Sequence, residues 1–305
     1  MTTYLIKRLL LSIPVLLLTA LLVFLALHLS PGDPVDVLVG PIASESVRER
    51  VRVELGLDKP IAVQFFIYIK NLAQGNLGNS ILNKRPVIEL LKEKLPITAE
   101  LGVTAFLLQY LLAIPIGAIA ALNRNSIADW FSMTLAMIGV SMPDFWLGLI
   151  LILIFAVTFK WLPPTGYGGV EKLILPALAL GLPRVGRIAR ITRSSMLEVI
   201  GQDYIRTARA KGLSEWGVMF PHTMRNSLIP IISLLGLDLG YIIGGSVVIE
   251  NVFARSGIGN MMLQSIYSRD FPVLQGCMFV LAFTIILGNI FADLLYAIVD
   301  RRIRL

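Results

Sequence analysis

Long apolar blocks separated by polar stretches set the pattern of this chain. The first block runs from about Leu9 to Leu29, broken only by Ser12, Pro14 and Thr19. At about twenty residues it is long enough to cross a bilayer. Lys7 and Arg8 precede it, it exceeds the core of a signal peptide, and no small-residue cleavage site follows, so it is expected to stay as an anchor. Further spans are expected at about 99–122, 129–159, 173–194, 228–249 and 277–299, six with the first. The third is long and contains Pro143-Asp144, which predicts an interfacial lead-in, a kink, and then the span proper.

The polar stretches carry their own punctuation. Pro31-Gly32-Asp33-Pro34 is a turn signal that stops the first helix. Ser44 or Ser46 can cap a helix through about Leu55 that stops at Gly56, and Glu49, three residues after Ser46, completes a capping box. A second helix is expected from near Asp58 and Pro60 to Gly75, and a third from about Pro86 to Leu95. These would form a small helical insertion, nearly neutral with nine Lys and Arg against eight Asp and Glu. Trp161-Leu-Pro-Pro-Thr-Gly-Tyr-Gly-Gly makes a rigid loop between spans three and four. The expected organisation is therefore 1–30, an N-terminus with the first span; 31–97, an extracytoplasmic helical insertion; and 98–305, a five-helix core with a cytoplasmic loop at about 196–228.

Composition narrows the class. With 56% hydrophobic and 15% charged residues among 305, the chain is too apolar for a soluble domain and reads as an all-α polytopic membrane protein. Cys277 stands alone, which excludes a disulfide framework and a cysteine metal cluster, and His28 and His222 are too few and too far apart for a metal site. No phosphate-binding loop, His-Glu-x-x-His or Gly-x-Ser-x-Gly occurs, so ATP, if it drives this protein, must be bound by another chain.

Charge sets orientation. With a cytoplasmic N-terminus, the inner segments hold fourteen basic residues against five acidic ones, and the remainder thirteen against fifteen. That bias puts both termini and the 196–228 loop inside. The net charge of +7 then needs no nucleic acid to explain it. No internal repeat is evident, which weakens an inverted-repeat transporter.

Several residues inside the spans need an account. Arg184, Arg187, Arg190 and Arg193 recur every third residue in the fourth span. They occupy its cytoplasmic half and no channel-filter sequence accompanies them, so they are expected to anchor the span and lead it into the loop rather than sense voltage. Gly236, Gly240 and Gly244, with Gly245 beside the last, leave one face of the fifth span as bare backbone, for close helix packing or a widened path. Asp238 lies near the centre of that span, where an unpaired charge costs about 2.5–3.5 kcal/mol on insertion scales, so it must face a wet cavity or a cationic partner. Lining such a cavity, it would favour cationic groups. Asp144 has a similar, weaker claim.

The polar stretch from Asp203 to Pro230 organises the rest: Asp203-Tyr-Ile-Arg206-Thr207-Ala208-Arg209-Ala210-Lys211-Gly212-Leu, then His222-Thr-Met-Arg225-Asn226-Ser-Leu-Ile-Pro230. It is helix-forming and charged between apolar blocks, hence at the bilayer surface. Arg206, Arg209 and Lys211 against Ala208 and Ala210 are expected to offer a small-residue surface where another protein could approach closely, and Gly212 can take the left-handed conformation that ends a helix. Taken alone it could be an ordinary amphipathic connector. It resembles the cytoplasmic coupling loop of ABC importer permeases of the dipeptide, oligopeptide and nickel uptake group. Aligned on Gly212, the superfamily's usual Glu-Ala-Ala falls on Arg206, Thr207 and Ala208, and only the second alanine matches. Ala208-Arg-Ala-Lys-Gly-Leu213 and His222-x-x-Arg225-Asn226 look like the peptide group's own form. Glu250-Asn-Val-Phe253, Ser256-Gly-Ile-Gly259, Arg269-Asp-Phe-Pro272 and Gln275-Gly276 look like its last external loop. With Pro31-Gly-Asp-Pro34, Leu55-Gly-Leu-Asp58 and Trp161-Leu-Pro163, the likeness covers essentially the whole chain and is greatest to the first, dipeptide-type permease subunit.

That resemblance implies a type I ABC importer permease fold in a bacterial or archaeal inner membrane. It implies a second, homologous permease, two ATP-binding subunits carrying ATP and Mg under the loop, and an extracytoplasmic substrate-binding protein, with no cofactor or nucleic acid on this chain. Asp203, Arg206, Thr207, Ala208, Arg209, Ala210, Lys211, Gly212, His222, Arg225 and Asn226 would couple to the ATPase, and Asp144, Gly236, Asp238, Gly240 and Gly244 would line the path. A nickel or other small-solute permease of the same group, or a stand-alone secondary carrier or channel, is the alternative.

Overall fold

The structure, a computed structural model, describes residues 2–29, 35, 39, 43–54, 56–244 and 246–299. Every regular element among them is helical, apart from one isolated bridge between Asn79 and Pro86. The first apolar block is α1 (Thr2–Leu29). The Pro31–Pro34 turn, Leu55, Gly245 and the terminus from Asp300 lie outside the described residues. In α2 (Glu45–Glu54) the amides of Val47 and Arg48 donate to the Ser44 carbonyl, so Ser44 takes the capping position through its backbone, with its hydroxyl 3.1 Å from that of Ser46. Gly56, at φ 68°, separates it from α3 (Ile61–Ala73), which closes before Gly75 at φ 73°.

The expected helix over 86–95 and the expected span from Ala99 are one element, α4 (Val87–Leu122). Proline inside a helix costs about 3 kcal/mol. Here Val87, Leu90 and Leu91 before Pro96, and Leu101 and Ala105 after it, are all buried, and each large side chain so placed contributes about 1.5–3 kcal/mol. Packing on both sides therefore outweighs the break. The opposite happens in the third block. It divides into α5 (Ile127–Ser141) and α6 (Asp144–Leu151), the latter running on as a π-helical turn, Ile152–Thr158, and the two halves meet at 105°. Met142 and Pro143 are both extended, so the helical ladder stops and restarts rather than kinking.

The chain continues through α7 (Glu171–Ile200), α8 (Asp203–Ala210), α9 (Glu215–Val218) with a π-helical turn at Met219–Met224, α10 (Arg225–Gly244), α11 (Ser246–Val252), α12 (Ile258–Tyr267) and α13 (Phe271–Val299). By length and composition, two described helical stretches could cross a membrane, Val87–Leu122 and Phe271–Phe291, and α5 with α6 makes a third if the bent pair counts as one span. The expected fourth span is one continuous helix within α7, whose arginines keep it from reading as apolar; the first lies in α1, and the fifth covers most of α10 and the start of α11.

Two compact units divide the chain. One combines Thr2–Thr98 with Ser256–Thr284. Its core joins Val87, Leu90, Leu91, Ile258, Met261, Val273 and Cys277, while Phe24, Phe65 and Tyr68 form a ring cluster of their own. Burial pushes the Tyr68 hydroxyl up to about 12. Asp270, in the quoted Arg-Asp-Phe-Pro motif, is buried and accepts from the Ser80 hydroxyl at 2.5 Å and the Ile81 amide at 3.1 Å. The motif is thus a clamp on the 80–82 turn.

The other unit combines Ala99–Arg255 with the chain from Ile285 on, and α7 is its axis. Glycines let neighbouring backbones reach it. A methyl group on Gly186 of α7 would stand 1.9 Å from the Ala136 carbonyl oxygen of α5, and one on Gly117 of α4 would stand 2.4 Å from the Ala189 carbonyl oxygen of α7. Contact this close admits only glycine.

Candidate functional site

The arginine row of α7 is a set of ties to three different helices. Arg193 places Nε 2.6 Å from Asp129 Oδ1 and Nη2 2.6 Å from Oδ2, a fork on one carboxylate. Asp129 is held from its own side as well: its Oδ2 accepts from the Asn125 amide at 2.9 Å, and its own amide donates to Ser126 Oγ at 3.2 Å, capping α5. Arg187 donates to Asp238 Oδ1 on α10. Tyr110 of α4 donates to Asp238 Oδ2 at 2.7 Å, and Gln109 Nε2 lies 3.5 Å from the same oxygen. Arg184 reaches Asp144 of α6 at 3.8 Å and donates to the Leu180 carbonyl at 2.6 Å. Arg190 is exposed.

Asp238 thus has the cationic partner that its position in the span demands, and the partner comes from this chain. Gly102, Ala105, Phe106, Gln109, Leu180 and Arg184 line with it a cavity of about 10 Å³, the size of one water. Of the glycines in this span, Gly244 is the one whose surroundings are described, and a methyl on it would meet, among the described residues, Ile285 Cδ1 at 4.0 Å, an ordinary contact. The surroundings of Gly236 and Gly240 are not among those described.

A second polar tie lies just after the Glu-Asn-Val-Phe motif. Arg255, fully buried, donates Nη2 to Glu100 at 2.8 Å and Nη1 to the Lys172 carbonyl at 3.4 Å, and its amide donates to the Glu250 carbonyl at 2.7 Å. Phe253 packs into the core beside Gly148, and its carbonyl accepts from the Gly166 amide at 2.9 Å, which fixes the 159–170 loop.

The loop after α7 is a packed substructure. Ile205 and Ala208 of α8 turn inward with Val218, so Ala208 belongs to the loop's own core and not to the small-residue surface expected from the sequence. What α8 offers outward is Arg206, Thr207, Arg209 and Ala210, followed by Lys211 and Gly212. Gly212 sits at φ 81° with open space where a side chain would go, so backbone conformation and not crowding demands glycine. Arg209 forks across that turn onto Glu215, Nε to Oε1 at 2.9 Å and Nη2 to Oε2 at 3.1 Å. The Thr207 hydroxyl donates back to the Asp203 carbonyl at 2.9 Å. Asn226 Nδ2 donates to the Tyr204 hydroxyl at 3.0 Å and to the His222 carbonyl at 2.9 Å, and Ser195 Oγ donates to the Ser227 carbonyl at 3.0 Å. His222 is half-buried and Arg225 exposed. Loop and α7 are therefore bolted together at both ends.

Three features were missed in the sequence: the Asp129–Arg193 fork, the Arg255–Glu100 pair, and the Asp270 clamp. Ser126-x-x-Asp129 carried a capping signal for the first. The other two join residues far apart in the chain, and no local pattern announces them.

Residues 113–305 match the family described as binding-protein-dependent transport system inner membrane component, and residues 1–102 match the N-terminal region of such membrane components. This chain belongs to that family and is an integral inner-membrane protein. A protein of Brucella abortus (strain 2308) named as a peptide transport system permease is 44% identical over 312 residues, covering 100% of this chain and 99% of that one. The glutathione transport system permease protein GsiC of Salmonella typhimurium (strain LT2) is 43% identical over 304 residues, covering 100% and 99%. Among solved structures, a chain of the MetNI methionine ABC transporter, in inward-facing conformations, superposes with a TM-score of 0.59 at 18% identity, over 70% of this chain and 98% of that one. This last likeness supports the shared fold.

Proposed function

We propose that this chain is a permease subunit of an ATP-driven importer for di- and oligopeptides, forming half of the translocation path beside a second, homologous permease. The observation that carries the reading is full-length similarity above 40% to permeases named for a peptide and for glutathione, itself a tripeptide. Two ATP-binding subunits, holding ATP and Mg, dock on the outward side of α8 through Arg206, Thr207, Ala210 and Lys211, and a substrate-binding protein delivers solute from outside. Both termini and the 203–230 loop lie in the cytoplasm, and residues 31–97 form an extracytoplasmic insertion. The ties from Ser195 to Ser227 and from Asn226 to Tyr204 support a lever action: a push on α8 passes into α7 and α10 because the loop cannot yield alone. Its two end states correspond to inward- and outward-open arrangements.

The test is reconstitution. Proteoliposomes containing the chain with a second permease, two ATPases and a binding protein are expected to accumulate dipeptide on ATP addition, and those containing this chain alone are not. Accumulation by the lone chain would overturn the reading in favour of a secondary carrier.

A further inference from the structure

Arg187 stands thirteen residues before the end of α7 at Ile200, and Asp238 thirteen residues after the start of α10 at Arg225. At 1.5 Å per residue both are about 20 Å along their helices from the loop, inside the expected fourth and fifth spans. The two members of the pair are placed very differently. The Asp238 side chain is 4% exposed and occupied by Arg187, Tyr110 and Gln109, whereas the Arg187 side chain is 41% exposed. Nη2 of Arg187 serves Asp238, Nε is buried without a partner, and the guanidinium makes no other hydrogen bond among the described residues. A guanidinium carries five donors, so most of this one's capacity is unused.

An exposed guanidinium at this depth does not face acyl chains, because that costs about 2.5–3.5 kcal/mol on insertion scales. It faces an aqueous path or another protein chain. Asp238 was the residue expected to meet a substrate's ammonium group, but it is sealed, and the reachable member is the cation. A group that meets it must be an anionic acceptor able to take N–H donors in a fork. Resting on the reading of the chain as a peptide permease, we propose that Arg187 recognises the carboxylate of the transported peptide in mid-membrane, with Asp238, held by Tyr110 and Gln109, as its positioning residue. Because Asp238 already neutralises the guanidinium, the peptide carboxylate is held weakly, and a transport path requires binding loose enough to release.

The experiment compares uptake of one dipeptide, as free acid and as C-terminal amide, by the complete transporter in proteoliposomes. Wild type is expected to favour the acid by about tenfold, the size of one charge-assisted hydrogen bond. Arg187→Gln should bring the acid-to-amide uptake ratio to about one, acid uptake falling further than amide uptake. Tyr110→Phe, which loosens Asp238 without touching Arg187, should raise KM for the acid and leave the maximal rate and the amide KM in place. Equal losses of acid and amide in Arg187→Gln overturn the proposal, since a purely structural pin or a partner-subunit contact predicts them. Should that variant fail to assemble, Arg187→Lys keeps the charge but not the fork, and an unchanged acid-to-amide ratio there overturns the proposal equally. Wild-type transporter that takes neither form but moves another solute would overturn the peptide reading itself.

Discussion

Arginine–carboxylate contacts occur in two neighbouring parts of this molecule, and the same chemistry serves different ends in each. Inside the helical core, Arg193 and Asp129 are fork-bonded with side chains 25% and 7% exposed, and the Asp129 carboxylate also accepts from the Asn125 amide. On the loop, Arg209 and Glu215 make an equally good fork, but with Glu215 68% exposed. Removing one partner of a buried pair leaves an uncompensated charge and costs about 3–5 kcal/mol. Exposed pairs are worth about 0.2–1 kcal/mol, because water and salt compete for both partners. The core pairs fix which helices touch α7; the loop pair trims one turn.

That contrast can be broken or sharpened by substitution. Asp129→Ala should have the largest effect, lowering the stability of the purified complex by about 3–5 kcal/mol in thermal unfolding, because Arg193 is stranded and the Asn125 amide loses its acceptor. If it unfolds no more easily than Glu215→Ala, the distinction between core and loop pairs falls. Gly186→Ala should come next, at about 1–3 kcal/mol from overpacking against the Ala136 carbonyl, seen as poor recovery of folded protein in detergent. Gly212→Val should cost only about 1–2 kcal/mol, for a left-handed backbone held against its preference. Its signature is functional: uptake drops while assembly and ATP hydrolysis persist, and full uptake would remove the lever. Smallest of all, Glu215→Ala should shift stability by less than about 1 kcal/mol, and this shift should shrink at high salt as the wild-type pair is screened.

The α5–α6 break and the α4 fusion show where local reading holds and where it does not. Both segments contain a proline at the expected boundary. Pro143 ends a helix, because Met142 and Pro143 can both be extended there. Pro96 does not, because buried leucines on either side hold one helical register. The proline signal is the same, and packing decides the outcome. Ala208 makes the same point on a smaller scale: as a small residue between cations it reads as an open surface, and the hydrophobic contact with Ile205 and Val218 turns it inward.

What the amino-acid order determined by itself is what acts locally or adds up along the chain. Apolar block length made the protein helical and membrane-bound, Gly212 set the loop's turn, and the motif series pointed to the family. Tertiary structure alone decided the partners of the charged residues. Arg187 meets Asp238, Arg193 meets Asp129 and Arg255 meets Glu100 across separations of 51, 64 and 155 residues. Each pair forms because no buried charge is stable unmatched, yet which carboxylate lies within reach depends on how closely glycine and alanine let the helices approach.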